Sequence, residues 1–79
     1  MEGWKGYREQ LERALEAVEK TEGELRAAVE CLERGDEVLA LAHTVGAGLI
    51  ADDAVKRLRE LVDAWSAALT REMLPEHAR

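Results

Sequence analysis

The residues able to do chemistry in this chain are few. His43 and His77 are its only imidazoles and Cys31 its only thiol. An imidazole can shuttle a proton, bind a metal or accept a phosphoryl group. One cysteine excludes an internal disulfide, and with two histidines it argues against a tetrahedral structural zinc site. A di-iron bundle needs Glu-x-x-His steps, and neither histidine follows a Glu by three. Asp52 and Asp53 are adjacent carboxylates, but a helix start accounts for them. Gly46 and Gly48 lack the Lys-Ser/Thr ending of a phosphate loop. Cys31 lies next to Leu32, with Arg34 three residues on, and reads as a small buried residue rather than a reactive thiol. No catalytic residue, cofactor or metal ligand is expected, and the chain reads as a non-enzyme.

His43 has one specific reading. The segment 32–45 runs Leu-Glu-Arg-Gly-Asp-Glu-Val-Leu-Ala-Leu-Ala-His-Thr-Val. It resembles the histidine phosphotransfer domains, where a Gly-Asp turn precedes a helix carrying an Ala-His-Thr-apolar motif on a four-helix bundle. The resemblance implies phosphorelay with His43 as phosphoacceptor. That family continues with Lys-Gly, whose Lys helps hold the phosphoryl group; this chain has Gly46-Ala47. The step from Asp36 to His43 is also short for the family. The ordinary alternative is a half-buried histidine on a helix flank.

The elements that would carry these residues are helical. Trp4, Leu11, Val18, Leu25 and Leu32 recur every seven residues, with Tyr7, Ala14, Leu15, Ala28 and Val29 between them. A seven-residue step held this long is the pattern of a helix packed lengthwise on another helix. The other face carries acid-first pairs four apart: Glu9–Arg13, Glu16–Lys20, Glu22–Arg26 and Glu30–Arg34. Thr21 and Glu24 match a capping box, and Gly23 weakens a helix. Val18 and Leu25 nevertheless keep phase across them, so one helix is expected over 4–34. Gly35 suits a left-handed C-terminal cap, Arg34 the last turn and Asp36 an N-cap, so the chain reverses there. A shorter helix over 37–46 is expected next. Gly46 and Gly48 predict a turn or sharp kink in 45–51. A third helix follows over 52–74, with Val55, Leu58, Val62, Trp65 and Leu69 stepping by 3, 4, 3 and 4, and with Asp52–Lys56 and Asp53–Arg57 pairs. Pro75 ends it, and 75–79 reads as a frayed tail.

The fold expectation is therefore all-α: one domain over 1–79, a long helical hairpin with a short middle helix. With 79 residues, 47% hydrophobic and 35% charged, its core is small. Chains of this size usually need a staple, and with disulfide and metal set aside the remaining one is oligomerisation. A homodimer closing a four-helix-type bundle follows, with Trp4, Leu11, Val18, Leu25, Val62, Trp65 and Leu69 at the interface. The functional expectation is a non-enzymatic protein–protein interaction module: an adaptor, regulator or inhibitor with a protein partner.

The net charge of −6 disfavours nucleic acid as a partner. A helix-turn-helix reading of Ala42 and Gly46 fails where Asp52 stands instead of an apolar residue. An elongated acidic surface suits a nucleic-acid mimic that blocks a nucleic-acid enzyme. The longest uncharged run, 38–51, is shorter than the roughly 20 apolar residues of a membrane span. No basic stretch followed by an apolar one opens the sequence, so a cytoplasmic location is expected. Arg-rich, Asn-free usage points to GC-rich coding DNA and a bacterial or phage source.

Overall fold

A computed structural model describes residues 3–73; the side chain of Trp4 and the expected tail at 75–79 lie outside the described residues. The protein is all-α. Helix α1 spans Gly3–Glu33 and helix α2 spans Glu37–Met73. They fold back on each other as an antiparallel hairpin measuring 66 × 19 × 12 Å.

The reversal follows from local chemistry. The Asp36 N–H donates to the Cys31 carbonyl at 2.8 Å, and the Gly35 N–H to the Leu32 carbonyl at 2.9 Å. This crossed pair satisfies carbonyls that the end of α1 would otherwise leave orphaned. It needs a residue at positive φ, and Gly35 supplies it at 81°. Asp36 then starts α2. Its Oδ1 accepts from the Leu39 N–H at 3.0 Å, and its carbonyl accepts from the Ala40 N–H at 3.1 Å. One residue thus closes one helix and opens the next.

Two local conflicts resolve the same way. The Thr21 box does not start a helix: Thr21 Oγ1 donates back to the Ala17 carbonyl at 2.8 Å, as helix-interior threonines do, and α1 is continuous. The expected turn or kink at 45–51 does not form either. There is no short middle helix over 37–46 and no separate third helix from 52; α2 runs unbroken through both glycines. Those glycines cost a helix about 2 kcal/mol in total. Ala47, between them, is buried against α1, as are Ala40, Ala54 and Leu61. Lengthwise pairing with α1 outweighs the weak local propensity.

The seam is made of small residues. Ala40, Ala47, Ala54 and Leu61 step by seven along α2, and Ala28 and Cys31 are their buried counterparts on α1. Part-buried Tyr7, Ala14 and Thr21 continue the row of Ala28, and Ala17 and Glu24 that of Cys31. At the open end Tyr7 stacks on Trp65, ring centroids 4.7 Å apart and planes 20° from parallel. Of the acid-first pairs expected on the surface, Glu22–Arg26 and Asp53–Arg57 form, and Arg8–Glu12 closes in the reverse order. Each is exposed and contributes a few tenths of a kcal/mol.

The glycines give a paired test. Gly48 has open space where a Cβ would sit and helical backbone, so Gly48→Ala should stabilise by about 0.5–1 kcal/mol. Gly35→Ala has equal room but the wrong φ, and should destabilise by about 1 kcal/mol. Denaturant midpoints at one fixed protein concentration would read both signs; equal effects would contradict the capping geometry.

Candidate functional site

Glu24 and His43 face each other across the seam. His43 Nδ1 lies 3.0 Å from Glu24 Oε2, with side chains 30% and 37% exposed. They are brought together by the turn, 19 residues apart in sequence. Glu24 occupies the row of Ala17 and Cys31, where every neighbour is small. Gly46 makes space for it: a Cβ there would stand 3.1 Å from Glu24 Oε2. A carboxylate only accepts, so the Nδ1 position donates and Nε2 is left as the free nitrogen of the neutral ring. That arrangement orients an imidazole and leaves one nitrogen for proton or group transfer. Arg26 is engaged with Glu22 and Thr44 Oγ1 donates to the Ala40 carbonyl, so neither side chain completes a phosphate cradle.

Glu24 was not legible as the partner of His43 from spacing. The available signal was a charged residue in a seven-residue row of otherwise small ones. Cys31 is 1% exposed and receives a 3.4 Å contact from the Arg34 guanidinium. Among the described residues, no three His, Cys, Asp or Glu side chains come together as metal ligands.

The residues expected at an interface divide into two sets. Trp65 is part-buried against Tyr7 within the hairpin. Leu11, Val18, Leu25, Val62 and Leu69 are all exposed. The seven-step row of α1 therefore lies outside the seam with α2, and the rows it shares with Ala28 and Cys31 do the packing.

These exposed residues share one side of the hairpin. On the opposite side, Arg13, Glu16 and Lys20 of α1 line an open groove of about 650 Å³ together with Leu49, Asp53 and Arg57 of α2. In both helices that groove contains the residue one before a seam position: Arg13 and Lys20 before Ala14 and Thr21, Asp53 before Ala54. Residues one after, and four after, point the other way at 100° per residue. On α1 these are Leu15, Val29, Leu11, Val18, Leu25 and Leu32. On α2 the exposed apolar residues one after the seam row are Leu41, Val55, Val62 and Leu69, with Gly48 between the first two. All ten leucines and valines are between 44% and 64% exposed. The result is an apolar face running the length of the molecule, interrupted on α1 by Arg8 and Glu22.

Helix α2 is also long and apolar enough to cross a membrane by length and composition, although its uncharged run is shorter than a span. The glutamate-rich helix α1 lies along it.

The Glu24–His43 contact is part-exposed, which tempers its strength. A double-mutant cycle with Glu24→Ala and His43→Ala should return a coupling of about 0.5–1 kcal/mol. A coupling near zero would mean that the pair contributes nothing to the hairpin.

No protein-family model matches the chain, and no curated protein or solved structure matches it.

Proposed function

We propose that this chain is a non-enzymatic helical protein–protein interaction module that works as a homodimer, two hairpins closing into a four-helix-type bundle. Its role would be that of a small adaptor, regulator or inhibitor. The observation that carries this reading is the ten-residue apolar face. Single exposed leucines are ordinary, but a contiguous apolar face along a whole molecule marks an interaction site. Its seven-residue rows suit helices as the covering surface. A second copy has the required length and the same rows, and a twofold contact uses one patch twice.

Val38, Val45 and Leu49 support a further protein partner. Val38 is 83% exposed. All three lie off the apolar face, at its border or beyond it, so a dimer formed through that face leaves most of their surface free. A bilayer fits less well as partner. The helix paired along α2 carries eight glutamates, and ionised carboxylates are costly in hydrocarbon.

A second reading, phosphorelay through His43, is favoured by one observation: Glu24 on Nδ1 leaves Nε2 as the nucleophile. Incubation with a phosphodonor or a kinase decides it. Acid-labile label lost in His43→Ala would support relay, and no label would remove it.

Sedimentation equilibrium at micromolar concentration should return twice the 8.8 kDa chain mass. Leu25→Glu places a charge in the centre of the apolar face and should return the single-chain mass. Because the seam is thin, the thermal midpoint of the native protein should rise with concentration. A monomer of 8.8 kDa with a concentration-independent midpoint would reject the proposal.

A further inference from the structure

The apolar face can be stacked on its copy in two ways. Either α1 lies on α1 of the partner, with the turns at opposite ends, or α1 lies on α2 of the partner, with the turns together. Both make antiparallel neighbours and both cover leucine and valine with leucine and valine. The flanking charges distinguish them. Lys5, Glu12, Glu19, Arg26 and Glu33 form the row of α1 that points away from α2, and all are exposed. Where the apolar face is stacked, this row borders the contact.

Laid antiparallel on itself about Glu19, the row is self-complementary. Lys5 comes opposite the partner's Glu33, and Glu12 opposite the partner's Arg26; within one chain Glu12 also meets Arg8 and Arg26 meets Glu22, both pairs exposed. Twofold symmetry repeats both contacts between copies, giving four attractive pairs against one repulsive Glu19–Glu19 contact. In the same register Leu15 comes level with the partner's Gly23, about 3 Å along the axis from the partner's Leu25. The equivalent stacking of α2 on itself adds a central Asp52–Asp52 contact. With the turns together, the row meets residues 38, 45, 52, 59 and 66 of α2 instead. Glu12 then meets the partner's Arg59, but Glu19 meets the partner's Asp52, and the other positions are Val38, Val45 and Ser66. The attractive and repulsive contacts cancel there. We infer that the second copy binds with its turn at the opposite end, α1 on α1. This rests on the dimer proposed above and names its arrangement.

The test uses the full chain with Cys31→Ala and a single spin label at Glu37→Cys, next to the turn. Residue 35 lies about 16 residues from the Glu19 crossing, so at 1.5 Å per residue the two labels should be about 45–50 Å apart. A pulsed dipolar measurement returning that distance supports the arrangement. A distance under about 25 Å overturns it and leaves the dimer standing. No dipolar signal at tens of micromolar, together with a single-chain mass, overturns the dimer as well. A charge swap gives an independent reading. Glu33→Lys alone should weaken dimerisation about three- to ten-fold, and adding Lys5→Glu should restore it. Failure of the double variant to restore affinity, in a protein of unchanged helicity, also overturns the arrangement.

Discussion

The structure depends on a seam built mainly from small residues. Ala40, Ala47 and Ala54 on α2, met by alanine and cysteine on α1, let two backbones come close and run side by side. Close approach gives good van der Waals contact. It removes little apolar area from water, because the side chains involved have little to remove. Ordering two helices of 31 and 37 residues carries a large entropic cost, and each small seam residue offsets less of it than a leucine would. Most of the larger aliphatic side chains stand outside the seam, with Leu61 the buried exception.

That division of labour gives the hairpin its shape. Mainly small residues turn inward and set spacing, while ten leucines and valines turn to one side. The Tyr7–Trp65 stack ties the two helices near the open end, and the Gly35–Asp36 junction fixes the other. Between them Glu24 reaches His43 through the gap left by Gly46.

Sequence patterns made the ends of the helices readable and left the middle obscure. Arg34, Gly35 and Asp36 each carry a conformational preference strong enough to act locally, and each sits where that preference puts it. Gly46 and Gly48 carry equally visible preferences, yet α2 ignores them, because pairing along dozens of residues overrides a local loss of about 2 kcal/mol. The row Leu11–Val18–Leu25–Leu32 was legible as a lengthwise contact surface. Which surface it contacts was not, because hydrophobic periodicity weights large side chains, and this hairpin closes on small ones. Ala14, Ala17 and Ala28 are weak in any hydropathy pattern and decisive in packing. The partner of His43 was hidden for a related reason: spacing along a chain cannot show which residues a turn brings together.

Cys31 has a consequence of a different kind. Its thiol lies in the seam layer next to the turn, shut away by Ala28 and Ala40. A thiol reagent in solution can reach that sulfur only while the two rods stand apart. Alkylation of the native protein therefore reports the parting of the rods: the open population where reclosing outpaces the reagent, and the opening rate where the reagent is faster.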